Sequence, residues 1–277
     1  MSAAIVRGYD NRYALTDLWG QAFGDDGEFI SEMYACGYLN PSDVFALTED
    51  GRLMAALFLP EYRIRIQGKD LPIRLLSCVA TDPYQQGKGY MSLLISRTLE
   101  LIRNDCCGVC VIPVSERLYG FYEKFGFSTA FWISERVIDP GEPSSGSFVD
   151  FSPEDPGSYY DGYFHKYAND GYVYKTKERF LQAVKEYTHP TQPCEFCTYS
   201  DGFAFIQRNA GEILVREWTG NAEVLGKTLG EHYRFPVRIQ SPAGEGERRP
   251  IGMLCSFSEP LTALVETSEL YLNCMYN

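Results

Sequence analysis

The run Val79-Ala80-Thr81-Asp82-Pro83-Tyr84-Gln85-Gln86-Gly87-Lys88-Gly89-Tyr90-Met91 is the stretch of this sequence whose residue types and spacing best suit chemistry. An apolar segment is stopped by Asp82-Pro83, a glycine-rich turn follows, and a helical pattern begins beyond it. The first amides of a helix have no partner inside it. Together with the helix dipole they form an anion site. Glycines let the backbone approach a phosphate closely and take positive φ. Lys88 would add charge. A pyrophosphate is therefore the natural ligand of Gln86, Gly87, Lys88, Gly89, Tyr90 and Met91.

The pattern G-x-x-x-x-G-K-S/T is absent, which excludes a P-loop nucleotide site. A full G-x-G-x-x-G is also missing, and the strands before the turn read as a meander rather than the start of a βαβ unit, against a dinucleotide fold. Coenzyme A is the pyrophosphate that remains. A second aromatic-rich motif follows at Ser115-Glu116-Arg117-Leu118-Tyr119-Gly120-Phe121-Tyr122-Glu123-Lys124-Phe125-Gly126-Phe127. A phenol has a reference pKa of about 10 and can donate a proton at neutral pH. The plainer alternative is that Tyr122, an amphipathic aromatic, only packs its helix on a sheet.

These residues need a scaffold. The pattern predicts a strand near 4–8 and helices near 12–23 and 28–37. Apolar runs at 44–47 and 53–59 flank Glu49-Asp50-Gly51, a hairpin signal. Runs at 62–66 and 74–79 flank Gln67-Gly68-Lys69-Asp70, so a meander of antiparallel strands ends at Val79-Ala80-Thr81. Met91, Leu94, Ile95, Thr98, Leu101 and Ile102 recur at helical spacing. A short apolar strand at 109–112 is ended by Pro113, a helix fits 116–124 with Gly126 as its cap, and 127–137 reads as a strand. Strand, helix, strand about the glycine loop implies a right-handed parallel crossover.

Asp139-Pro140-Gly141-Glu142-Pro143-Ser144-Ser145-Gly146-Ser147 and Ser152-Pro153-Glu154-Asp155-Pro156-Gly157 read as a linker region. The expected organisation is a first domain over 1–138, a linker over 139–157 and a second domain over 158–277. The second half repeats a similar rhythm, with helices at 177–186 and 222–229 and strands at 195–198, 203–207, 213–218 and 237–240. It has no glycine loop.

The 277 residues are 45% hydrophobic, ample for a buried core, and their 14% aromatic content argues against disorder. Net charge is -12, from 37 acidic and 25 basic residues. That surface repels phosphate backbones, so nucleic acid is excluded as a partner, and it suits a cationic ligand. No apolar run reaches the roughly 18–20 residues that span a bilayer, and no secretory signal opens the sequence. The expectation is a cytoplasmic protein with no membrane partner, with a homo-oligomer left open. The C-x-x-C pairs Cys107/Cys110 and Cys194/Cys197 fall in expected strands. Residues three apart on a strand point to opposite faces, so no metal is expected. The nine cysteines read as reduced and mostly buried.

The two motifs together resemble the GCN5-related N-acetyltransferase (GNAT) family, over about residues 1–137 in element order. Gln86, Gly89 and Met91 stand at its three pyrophosphate-loop positions. Met91 is bulkier than the usual Gly or Ala, a departure the enhanced intracellular survival (Eis-like) branch shares. The resemblance implies a GNAT fold, a mixed, mostly antiparallel sheet flanked by helices, here followed by a second, degenerate GNAT-like domain. It implies acetyl-CoA as cosubstrate, bound by Val79, Ala80 and Thr81 through backbone amides, by the glycine loop, and by Ser115, which stands where the family has an Asn against the pantetheine arm. It implies that Tyr122 protonates the leaving thiolate, with Tyr119 as runner-up. The acceptor would be a small-molecule primary amine or a lysine side chain that attacks directly.

All three histidines, His165, His189 and His232, lie in the second half. A base would then be water, one of Asp25, Asp26, Glu28 and Glu32, or the carboxylate of Asn277 at the end of an apolar stretch, 270–277, expected to be a strand. The second half resembles the degenerate domain of the Eis-like branch through its element order and Arg249-Pro250-Ile251-Gly252-Met253-Leu254. The chain is too short for the sterol-carrier-like third domain usual there. A second reading is an acyl-CoA sensor or scaffold without turnover, which Met91 and Ser115 favour. A third changes only the donor, to a longer acyl or an aminoacyl group.

Overall fold

The computed structural model describes residues 3–140, 148–242, 246–267 and 270–273. The first half runs β1 (Ala3–Arg7), α1 (Arg12–Phe23), α2 (Gly27–Ala35), β2 (Val44–Glu49), β3 (Arg52–Phe58), β4 (Glu61–Ile66), β5 (Lys69–Thr81), α3 (Tyr90–Ile102), β6 (Gly108–Val111), α4 (Glu116–Tyr122) and β7 (Ser128–Ile138). The second runs α5 (Tyr160–Tyr167), β8 (Val173–Tyr174), α6 (Lys177–Tyr187), β9 (Cys194–Tyr199), β10 (Gly202–Asn209), β11 (Glu212–Trp218), α7 (Ala222–Tyr233), β12 (Val237–Ser241), β13 (Glu247–Ser256) and α8 (Glu259–Thr267).

The chain forms two compact units, Met1–Thr129 with Gly252–Thr267, and Ala130–Ile251 with Ser268–Asn277. The expected boundaries at 138 and 157 follow the chain, whereas these units are discontinuous. Most of β7 belongs to the second unit, where it pairs antiparallel with β12. The end of β13 belongs to the first, where Met253 to Ser256 pair antiparallel with Val111 to Gly108. Part of the expected linker is also structured: Asp150 exchanges two backbone hydrogen bonds with Thr198, at 3.0 and 2.8 Å.

In the first unit β1, β2, β3 and β5 pair antiparallel in that order, and β5 then pairs parallel with β6. The sequence explains the turns. Asp50-Gly51 and Gln67-Gly68 all take positive φ, as tight hairpins with right-twisted strands require. Two apolar clusters cover the faces. Leu15, Leu18, Trp19, Phe29, Ile30 and Met33 of α1 and α2 pack on Val44, Ala46, Ala56, Phe58 and Ala80. Leu94, Ile95 and Ile102 of α3 and Tyr122 of α4 pack with Leu57, Leu76, Val109, Val111 and Met253.

The second unit repeats the pattern. β9, β10 and β11 form an antiparallel meander, β11 pairs parallel with β12, and α7 connects them. Topology thus supplies the duplication that sequence hinted at. The sequence reading did not assign helices α5, which is tyrosine-rich, and α8. The expected strand at 270–277 is corrected. Among its described residues only Leu270 and Tyr271 pair, as isolated bridges to Phe131 and Tyr172. Cys194 and Cys197 do lie in β9, but Cys107 falls one residue before β6.

This unit also buries an ion pair. Lys175 Nζ donates to Glu217 Oε2 at 2.6 Å, with the side chains 2% and 1% exposed. Burial pushes the Glu217 carboxyl up, and the Lys175 ammonium opposes it. Lys175→Met removes the cation hydrogen-bonded to that buried carboxylate, leaving only the charge of Lys166 to oppose its burial, and should cost about 3–5 kcal/mol in denaturant unfolding. Adding Glu217→Leu should recover most of the loss. A single variant as stable as the wild type would contradict this view of the pair.

Candidate active site

Strand β5 does not run regularly to its end. Ser77 pairs with Phe58, while Ala80 and Thr81 pair with Ala56 and Ala55, so Cys78 and Val79 together oppose Leu57 alone. This is a β-bulge. Cys78 carries the strain at φ +48, a left-handed conformation that costs a non-glycine residue on the order of 1–3 kcal/mol. It is held by Trp19 in α1, whose indole Nε1–H donates to the Cys78 carbonyl at 3.1 Å. Trp19 is itself buried.

The extra residue changes which way side chains point. In an unbroken strand Leu76, Cys78 and Ala80 would share a face. Here Leu76 and Val79 join the cluster beneath α3 and α4, and Cys78 and Ala80 join the one beneath α1 and α2. The opposite edge of β5 opens at the same point. β6 pairs with it only at Arg74, Leu75 and Leu76, and Val111 is the last residue of β6. Beyond Leu76 that edge, through Val79, Ala80 and Thr81, has no strand partner among the described residues. Nothing in an apolar run announces a bulge, and sequence reasoning missed both it and Trp19.

The glycine loop leaves the end of β5. Asp82 Oδ1 accepts from Tyr84 N at 2.8 Å and starts a short 3-10 turn. Gly87 and Gly89 take φ +76 and +83, and a Cβ at either would meet nothing within 4 Å. The need for glycine is thus conformational, and the space around the loop is open. Helix α3 follows with Gly89 as its cap and no side chain on its free amides. Its first backbone bond runs from Leu93 N to Gly89 O at 3.0 Å, so the amides of Tyr90, Met91 and Ser92 have no partner within the helix. By contrast Asn11, Asp26, Thr176 and Asn221 cap α1, α2, α6 and α7 with their side chains. The Lys88 ammonium donates to Gln85 Oε1 at 2.7 Å, within the loop, and keeps its charge there.

Helix α4 follows Ser115, which is exposed and whose hydroxyl caps nothing. It ends at Tyr122, followed by a 3-10 turn that Gly126 closes at φ +86. Tyr122 is buried, edge-on to Phe121 at 5.3 Å between centroids and tilted against Phe127 at 5.7 Å. Burial alone pushes its phenol up to about 12. It therefore holds its proton through neutral pH. Val79, Tyr90, Met91 and Tyr119 pack on the cluster that contains Tyr122, so one face of the sheet gathers residues from both motifs. Gln86, Gly87, Lys88 and Gly89 stay exposed in the loop, and Ala80 faces the other way.

Of the candidate bases, Asp26 caps α2 by accepting from Phe29 N at 2.7 Å, and Glu28 sits in the first turn of that helix. Asp25 precedes that cap and Glu32 lies within α2. Asn277 lies outside the described residues. Among the described residues no group of three or more His, Cys, Asp or Glu could share a metal ion.

The second unit has a counterpart to the helix start, and it is closed. Asn221 Oδ1 accepts from Glu223 N at 2.9 Å and Val224 N at 3.2 Å, and Glu223 adds negative charge to the first turn. An anion is excluded there twice, by occupied amides and by repulsion.

A parallel strand pair that ends just before a bulge, followed by a glycine loop without a side-chain cap, can be compared with known proteins. The sequence family described as acetyltransferase (GNAT) domain matches residues 10–130. The chain also superposes on a GCN5-related N-acetyltransferase from Anabaena variabilis with a TM-score of 0.66, at 14% identity over 93% of this chain and 73% of that one. It superposes on Eis1 from Mycobacterium abscessus with a TM-score of 0.63, at 13% identity over 92% and 74% of the two chains. A tandem GNAT protein from the clavulanic acid biosynthesis pathway gives 0.52, at 10% identity over 93% and 98%. Identities this low speak for the fold alone. No curated protein matches the chain in sequence. Residues 10–130 thus match an acetyltransferase (GNAT) domain, and the second unit repeats the antiparallel meander and parallel pair of the first. Among the described residues no helix is long and apolar enough to cross a membrane.

Gly89→Ala adds a Cβ at φ +83 without a clash. It should lower unfolding stability by about 1–2 kcal/mol through backbone strain alone. An unchanged denaturation midpoint would show that the loop takes another conformation in solution.

Proposed function

We propose that the protein transfers an acetyl group from acetyl-CoA to a primary amine, a small cationic amine or a lysine side chain, within a ternary complex. The observation that carries this reading is the alignment along one chain segment of an unpartnered strand edge, at Val79, Ala80 and Thr81, with an uncapped helix start, at Gly89, Tyr90 and Met91. The amides of the first turn of α3 and the open loop at Gln86, Gly87, Lys88 and Gly89 suit a diphosphate. The free edge of β5 suits the amides of a pantetheine arm, which would bond to it as a neighbouring strand does. Ser115, exposed at the start of α4, would border that arm.

A neutral amine attacks the thioester carbonyl carbon. The oxygen gains charge, which amides at the bulge would stabilise. The tetrahedral adduct collapses, its carbon–sulfur bond breaks, and the sulfur takes the Tyr122 proton to leave as the free thiol. The proton lost by the amine returns through water to the phenolate. Burial keeps the Tyr122 phenol protonated at neutral pH, so its proton is in place when the thiolate departs. The acidic surface, at net charge -12, supports a cationic acceptor.

Calorimetry with acetyl-CoA, with thiol release followed against a panel of amines, tests this reading. One acetyl-CoA per chain is expected, since the second unit fills its helix start with Asn221 and Glu223. Tyr122→Phe should leave binding unchanged and lower amine-dependent thiol release by about 100-fold or more. Binding without release from any amine would favour the sensor reading, to which the bulk of Met91 and the short side chain of Ser115 point. Absence of binding would overturn both.

A further inference from the structure

The glycine loop is fixed at both ends to one place, the β2–β3 hairpin. At its start, Asp82 N donates to the Met54 carbonyl at 2.9 Å. Asp82 Oδ2 accepts from Arg52 Nη2 at 2.7 Å, while its other oxygen holds Tyr84 N. At its end, the Tyr90 hydroxyl donates to Glu49 Oε2 at 2.8 Å. Glu49 is the last residue of β2 and Arg52 the first of β3, so only Asp50 and Gly51 separate the two anchors. Between them the loop has little support, because Gln86, Gly87, Lys88 and Gly89 are exposed and a Cβ at either glycine would touch nothing.

A carboxylate beside an uncapped helix start is a puzzle. By charge alone Glu49 opposes an anion there. Its hydrogen bond to Tyr90 gives it a different use. Tyr90 is the first residue of α3, and its amide is one of the free donors. Fixing its side chain fixes the direction of that amide and of the next. Preorganised donors bind an anion more tightly than donors that must be ordered on binding.

We propose that Glu49 is a positioning residue for the diphosphate of the acyl donor, acting through the Tyr90 hydroxyl, with the Arg52–Asp82 pair holding the other end of the same loop. The role of Glu49 rests on the acyl-CoA reading above. Charge and position make opposite predictions at this residue. Glu49→Gln removes the charge and keeps an oxygen that can accept from Tyr90. Glu49→Ala removes both.

The test measures KM and kcat of wild type, Glu49→Gln and Glu49→Ala with acetyl-CoA and with acetyl-pantetheine, a donor that lacks the diphosphate. Glu49→Ala should raise KM for acetyl-CoA about tenfold, the scale of one charge-assisted hydrogen bond. Its kcat, and both constants with acetyl-pantetheine, should stay at wild-type values. Glu49→Gln should not raise KM for acetyl-CoA. If Glu49→Ala binds acetyl-CoA as tightly as wild type or tighter, Glu49 is only an unfavourable charge and the proposal falls. Equal losses with both donors would mark a general structural role and overturn it too. Inactivity of the wild type with both donors would instead overturn the acyltransfer reading on which it rests.

Discussion

Trp19 donates its indole N–H to the Cys78 carbonyl and so holds a residue that a regular strand would not tolerate at φ +48. Much of the site depends on that constraint. It inserts one residue into β5 relative to β3 and reverses the side-chain alternation past it. Val79 then faces the α3 and α4 cluster, and Ala80 faces α1 and α2. Without the bulge these would exchange, and an apolar Val79 would be driven into the layer that Trp19 fills. The end of β5 would also stay in simple register with β3. The strain at Cys78 is offset by burying Trp19 and by the hydrogen bond it makes.

The two units share one topology and differ at one helix start. Each has an antiparallel meander, a parallel pair and a helix between the members of that pair. The difference lies at the start of the helix. Gly89 leaves the amides of α3 open, whereas the Asn221 side chain takes those of α7 and Glu223 sets a negative charge beside them. Asn at an N-cap stabilises a helix by about 1 kcal/mol. The second unit has that local stability, and the first gives it up for an open set of donors.

Much of this was legible in the sequence because it follows from local rules. Asp50-Gly51 and Gln67-Gly68 pointed to the hairpins, the period of Met91, Leu94, Ile95 and Thr98 to α3, and the glycines to the open start of that helix. Tyr122 was legible as a candidate from the second motif, and its depth in the core was not. What escaped needed contacts distant in sequence. The bulge depends on Trp19, 59 residues from Cys78. The discontinuous units depend on β13 pairing with β6, more than half the chain away. The hydrogen bond from the Lys88 ammonium to Gln85, within the loop itself, was not legible either.

The central claim is that the end of β5 and the start of α3 together form one acyl-CoA site. Amide chemical-shift mapping on 15N-labelled protein titrated with acetyl-CoA tests it most directly. The account predicts saturable shifts concentrated at Val79, Ala80, Thr81, Gln86, Gly87, Lys88, Gly89, Tyr90 and Met91, with none at Asn221, Glu223 and Val224. Shifts centred elsewhere, or equal at the two helix starts, would contradict it.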